Sequence, residues 1–310
     1  MKSFLLLAIA VTAALTTQTV TGAELRVMSF NLWHGGDAGK QPLSQTSEVI
    51  RAAKADIIGL QETGGYEKEK GSGRPDNGRK LAEILGWHYF DQGERTGILS
   101  RFPIITNTAR KWGVTIRVAP GREVMMFNVH LAHAPYQPYQ LAGIPYANGR
   151  FIKTAAEAVD EARKARGEQV GRLLAELKPA LAGAQPVFVT GDFNEPSPLD
   201  WTARAAAAGH HPVAVDYPSA LAVLQAGMRD AYRTAHPDEL THPGHTWTPT
   251  TRPDDPKDRH DRIDFVFFAG SNMTVKRCDV VGEDKKFADI LVQPYPSDHR
   301  AVVATIEWPD

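Results

Sequence analysis

Residues 186–198 read PVFVTGDFNEPSP, and this stretch decides how the rest of the chain is read. Val187, Phe188 and Val189 are a short apolar run of β-branched and aromatic residues, which predicts a buried strand. Gly191 allows a close backbone approach. Asp192 and Asn194 follow two residues apart, so strand periodicity places them on one side. Pro196 and Pro198 then forbid any continuation of the ladder. The strand is expected to carry a carboxylate and an amide to the rim of a sheet and stop there. An ordinary Asx turn after a strand would look the same, so the other strand ends must decide.

Five of them repeat the design. The strand over residues 25–32 runs into Asn31, Trp33 and His34. The strand over 56–60 runs into Gln61 and Glu62. MMFNVHL, within residues 124–131, carries His130 at its end. The apolar strand over 263–268 starts at Asp264, and the last strand, 301–308, follows Ser297, Asp298 and His299. Further strands are expected over 87–91, 97–100 and 104–108. Amphipathic helices are expected over 44–54, capped by Ser44 or Ser47, and over 77–85, capped by Asn77 and stopped by Gly86. A long helix is expected over 151–178. Residues 64–76 read as a loop, and residues 134–150 as an aromatic, proline-broken loop containing Tyr136, Tyr139 and Tyr146. Mixed strands and helices of this kind predict two sheets packed face to face with helices outside.

Residues 1–23 stand apart. Lys2, an apolar run from Phe4 to Leu15 and the small residues Gly22 and Ala23 have the order of a secretory signal peptide. The apolar run is short for a membrane span. The expectation is an exported protein, periplasmic or extracellular, without stable membrane insertion, whose residues 24–310 form a single domain and which acts as a monomer. The chain is 42% hydrophobic, enough for a sizeable core, and its one cysteine, Cys278, excludes an internal disulfide. A net charge of −1 gives no global attraction to polyanions.

The strand ends together offer Asn31, Glu62, His130, Asp192, Asn194, Asp264, Asp298 and His299. Carboxylates grouped with amide oxygens suit a hard cation, Mg²⁺ or Mn²⁺, with Ca²⁺ as a further candidate, and not zinc. The two histidines add acid–base capacity near neutral pH.

The series SFNLW, IIGLQET, GILSRFPI, FNVHLAH, TGDFNEPS, RIDFVFF and SDHRAVVATI resembles the endonuclease/exonuclease/phosphatase superfamily, the deoxyribonuclease-like metal-dependent phosphoesterases. The resemblance covers nearly all of the chain after residue 23. It implies an α/β, four-layered sandwich of two mixed β-sheets flanked by helices, and hydrolysis of phosphoester bonds with a divalent metal. It implies that Glu62 is the principal metal ligand, with Asn31 beside it and Asp298 assisting. His299 would be the general base, held by Asp264. Asp192 and Asn194 would orient the nucleophile and the phosphate, or hold a second metal. His130 would donate to a phosphate oxygen or assist the leaving group.

Some positions stay open. Asp261 lies three residues before Asp264 and competes with it as the partner of His299. His133 competes with His130. A tyrosine and an acid that the family's nucleases carry in mid-chain have no counterpart around 95–115. Arg163, Lys164 and Arg166 form a small basic cluster, but Glu157, Asp160 and Glu161 share its helix, so it reads as a solvated face and not a nucleic-acid patch. The expected substrate is a small phosphoester or a phospholipid head group, with DNA or RNA as the rival. A non-catalytic binding module that kept the fold is the rival of another class.

Overall fold

The computed structural model describes residues 23–308. The leader expected over 1–23 lies, but for its last residue, outside them. In chain order the elements are β1 (Ala23–Asn31), α1 (Leu43–Ala53), β2 (Ile57–Gln61), α2 (Asn77–Leu85), β3 (His88–Gly93), β4 (Thr96–Ser100), β5 (Ile104–Asn107), β6 (Gly113–Ala119), β7 (Arg122–His130), α3 (Gln137–Ala142), α4 (Ala155–Leu181), β8 (Val187–Asp192), α5 (Ala203–Ala207), α6 (Pro218–Gln225), β9 (Arg229–Asp230), α7 (Ala231–Ala235), β10 (Asp264–Ala269), β11 (Thr274–Gly282), β12 (Ile290–Leu291) and β13 (Ala301–Trp308). One sheet has the order β12-β11-β13-β1-β2-β4-β3 and the other β5-β6-β7-β8-β10-β9. Both are mixed, because β1 runs parallel to β2 and β7 parallel to β8 while their other neighbours run antiparallel.

The central strands are apolar on both faces, and the alternation sorts their side chains into separate cores. Val27, Ile57, Phe188, Val266 and Phe268 fill the space between the sheets. Their neighbours Met28, Ile58 and Leu60 point outward onto Val49, Ile50 and Leu81 of α1 and α2. Val187, Val189, Phe265 and Phe267 point the other way, onto Leu173 and Leu177 of α4 and Val223 of α6. The layers are therefore helix, sheet, sheet, helix. No helix among the described residues is long and apolar enough to cross a membrane.

Between the sheets the packing turns polar toward one end. Gln61 donates to Asn128 Oδ1 at 2.6 Å, and Asn128 donates to the Leu60 carbonyl at 2.9 Å. A Cβ on Gly59 would stand 2.0 Å from Thr190 Oγ1 and 2.3 Å from Asn128 Oδ1. Only a glycine lets the two sheets approach this closely, and the approach brings their strand ends together.

Several local expectations are corrected. Pro42, not Ser44 or Ser47, precedes α1, and no side chain caps that helix. Asp76, not Asn77, caps α2, accepting from the Arg79 amide at 3.0 Å. The long helix starts at Ala155, where Thr154 and Glu157 form a reciprocal capping box. Strands β6 and β11 were not expected. In TVKRCDVVG the charged Lys276 and Arg277 lie in the exposed first half of β11, and a bulge between Val275 and Arg277 breaks the alternation that would reveal it.

Candidate active site

The site grows from the pairing register. His130 stands beside Asp192 across the parallel pair β7–β8, and Asp264 stands beside Asp192 across the antiparallel pair β8–β10. Three neighbouring strands of one sheet thus place a histidine and two acids in one row. On the other sheet Asn31 pairs with Gln61, and Glu62 follows where β2 ends. The His299 segment closes the site from the start of β13.

Asp192 is the centre of the arrangement, with 1% of its surface exposed. Its Oδ2 accepts from Asn31 Nδ2 at 2.9 Å, and it lies 3.5 Å from His130 Nε2 and 3.7 Å from His299 Nε2. Its Oδ1 accepts from the Asn194 amide at 2.8 Å. His299 meets Asp264 through Nδ1 at 2.9 Å. That settles which acid touches the histidine. Asp261 accepts instead from Tyr136, Trp201 and Arg259. His130 lies against Asp192, whereas His133 lines an aromatic recess with Tyr146.

Asn194 is placed differently from what strand periodicity suggests. Strand β8 ends at Asp192, and Asn194 has φ 48°, so it no longer follows the pleat. Its Nδ2 donates to the Leu131 carbonyl at 3.0 Å. The Asn31 side chain presents Nδ2 to both Asp192 and Glu62 Oε1, the latter at 3.5 Å, so it clamps the two carboxylates as a donor. The Glu62 Oε2 accepts from the His34 amide at 2.8 Å. Trp33, His34 and Glu62 also have positive φ. Left-handed backbone costs a non-glycine residue roughly 1 kcal/mol or more, and such strain clusters at functional sites. His34, expected only as a strand end, thus also supports Glu62.

The electrostatics suit a cation. Burial first, then the charges of Glu62 and Asp192, lift the Asp298 carboxyl to about 7. Among the described residues its Oδ1 is buried without a hydrogen-bond partner, as is the Asp264 Oδ1. Burial would also lift Glu62, but His130, the His34 amide and His299 outweigh it and hold Glu62 below the usual carboxylate range. Burial works against a charged imidazole at His299, yet Asp264 and then Asp192 outweigh it and raise its proton affinity. Asp192, Asp264 and His299 also offer ligand atoms within 4.8 Å of one another. That trio is already closed by the His299–Asp264 hydrogen bond, so the unpartnered oxygen of Asp298 and the ionised Glu62 fit a hard cation better.

Beside this cluster lies the recess, about 80 Å³, lined by His133, Tyr136, Tyr139, Tyr146, Asn194, Trp247 and Ile263. Trp247 packs edge-on to His299, ring centroids 5.0 Å apart. The loop is pinned from behind by Arg166, which is fully buried and not on the solvated face expected for its cluster. Arg166 donates to Gln137 Oε1 at 2.7 Å and to the Pro135 carbonyl at 3.1 Å, and lies 3.5 Å from the equally buried Glu195. Arg163 and Lys164 are exposed. Replacing Arg166 by alanine leaves Glu195 buried and uncompensated, so urea unfolding should show a loss of about 3–5 kcal/mol. A loss below about 1 kcal/mol would mean that Glu195 does not need its partner.

The model of the Endonuclease/Exonuclease/phosphatase family matches residues 28–299. An uncharacterized protein of Caenorhabditis elegans is 26% identical over 310 residues, covering 93% of either chain. Among solved structures the chain is similar to the 3′ phosphatase NExo from Neisseria, solved with product DNA, at TM-score 0.55 and 16% identity over 92% of this chain and 100% of that one. It is similar to TDP2 from C. elegans at TM-score 0.53 and 16% identity, over 94% and 78%. It is also similar to an endonuclease/exonuclease/phosphatase from Beutenbergia cavernae at TM-score 0.53 and 20% identity, over 92% and 72%. At these identities the structures show a shared fold.

Proposed function

Since the chain belongs to the endonuclease/exonuclease/phosphatase family and is a metal-dependent hydrolase of phosphoester bonds, we propose that it cleaves phosphodiesters of small or lipid-derived substrates by water attack assisted by a His–Asp base. The observation that carries this reading is Asp192 between the two imidazoles, with Asp264 holding the far nitrogen of His299. Asp264 fixes the ring so that Nε2 faces the reacting centre, and it supports the imidazolium that forms when Nε2 accepts the water proton. Asp192 aligns that water. His130 meets a phosphate oxygen or the leaving group. Glu62 and Asp298 would hold the metal, with Asn31 keeping Glu62 and Asp192 in place. A divalent ion there would supply positive charge that offsets the negative charge of the phosphoester and stabilises the pentavalent transition state. Magnesium or manganese fits such oxygen donors. On the signal-like pattern of residues 1–23 we place the enzyme outside the cytoplasm.

The test is a substrate panel with purified protein. Methyl p-nitrophenyl phosphate should be hydrolysed, and the rate should fall only slightly between low and physiological salt. The DNA product bound to NExo makes nucleic acid the arm to watch. DNA or RNA as best substrate, with the steep salt dependence of counterion release, would make this a nuclease.

A further inference from the structure

We propose that the aromatic recess beside the reacting centre receives a quaternary ammonium group, of the choline type, carried on one ester arm of the substrate. The proposal rests on the phosphodiesterase reading above and names its substrate class. The recess is built as corners. Tyr136 and Tyr139 stand at 90° with centroids 4.9 Å apart, Tyr139 and Tyr146 at 83° and 5.5 Å, and His133 and Tyr146 at 72° and 6.3 Å. A flat ring such as a nucleobase needs parallel faces on either side. Perpendicular faces instead surround a rounded group, and the electron-rich face of each ring attracts a cation.

The hydroxyls reinforce this. Tyr136 donates to Asp261 Oδ2 at 2.8 Å, and Tyr139 donates to Asp258. Both phenols therefore point at carboxylates, which enrich the rings and put negative charge behind the walls. Arg259 pairs with Asp261, but its guanidinium lies over Trp201, 4.9 Å from the ring centroid. Tyr136 and Tyr139 are buried, and Trp247 Nε1 donates to the Tyr139 oxygen at 3.3 Å, which fixes the inner walls. Tyr146 is 39% exposed and His133 is exposed, so the entrance is open. The recess adjoins the chemistry, with Trp247 against His299 and Asn194 at its lip. Preformed walls keep the ordering cost of binding low.

The test compares p-nitrophenyl phosphodiesters of choline and of its neutral tert-butyl isostere, which match in shape and differ in charge. Wild-type kcat/KM should favour the choline ester by roughly tenfold or more. Tyr139→Leu should bring that ratio close to one, and Tyr139→Phe, which keeps the ring, should retain most of it. In parallel, tetramethylammonium is titrated calorimetrically into wild-type protein in EDTA. Saturable binding that Tyr139→Leu removes supports the recess independently of turnover. Equal rates for the two esters, or no binding of tetramethylammonium, overturn the proposal even if Tyr139→Leu fails to fold. A nucleoside ester preferred over both would also overturn it, in favour of ring stacking. Failure to hydrolyse any diester, with tetramethylammonium still bound, would sink the phosphodiesterase reading and leave the cation site standing.

Discussion

Chelation with EDTA should abolish turnover of every phosphoester substrate, and Mg²⁺ or Mn²⁺ should restore it. The physical reason is the concentration of uncompensated negative charge at one place. Asp298 carries a buried oxygen without a partner among the described residues, and its carboxyl is lifted to about 7 by burial and by Glu62 and Asp192. A hard cation relieves that repulsion. The pH dependence has a definite sign. In the metal-free protein Asp298 is increasingly protonated as pH falls through about 7. Metal competes with that proton, so divalent affinity should weaken from pH 8 to pH 6, with proton uptake on release. Glu62→Gln removes the ionised oxygen pair that the His34 amide and Asn31 hold in place. It should raise the metal concentration needed for half-maximal activity by at least about tenfold, on the usual scale for one lost ligand interaction. Calorimetry of Mn²⁺ binding at the two pH values, with wild type and Glu62→Gln, reads all of this. Full activity in excess chelator would remove the metal from the mechanism.

Much of this site was legible because strand ends are legible. The apolar runs before Asn31, Glu62, His130 and Asp192 predicted strands that the structure contains, and the side chains that follow them meet at one end of the paired sheets. What sequence could not give was orientation. Periodicity placed Asn194 with Asp192, but a left-handed backbone turns it to the Leu131 carbonyl. Asp261 and Asp264 are three residues apart, and only the strand start at Asp264 favoured it as the partner of His299. The fold sends Asp264 to His299 and Asp261 to Tyr136 and Trp201. Arg166 read as one charge among several on a helix, because its buried partner Glu195 lies 29 residues away. Trp247 had no local signal at all. It reaches His299 from a connection between α7 and β10 whose course depends on pairing with Asp261.

His299→Ala should lower kcat by about 10²–10⁴-fold, the range for a general acid–base group. Asp264→Asn should cost a similar order, although it deletes no ring. The asparagine cannot carry the charge that supports an imidazolium, and it can present its amide nitrogen to Nδ1, which favours the wrong tautomer. His299 and Asp264 touch at 2.9 Å and both are buried, so neither reaches solvent for a substitute partner. The two residues should therefore act as one unit. The double variant Asp264→Asn/His299→Ala should be about as slow as His299→Ala alone, because an acid without its histidine has nothing left to orient. Steady-state kcat with saturating metal, measured on all three variants after their folding is checked by thermal melts, gives the comparison. Losses that multiply would show that Asp264 acts on the reaction by another route, through Asp192 or the metal, and that the His–Asp pair is not the base.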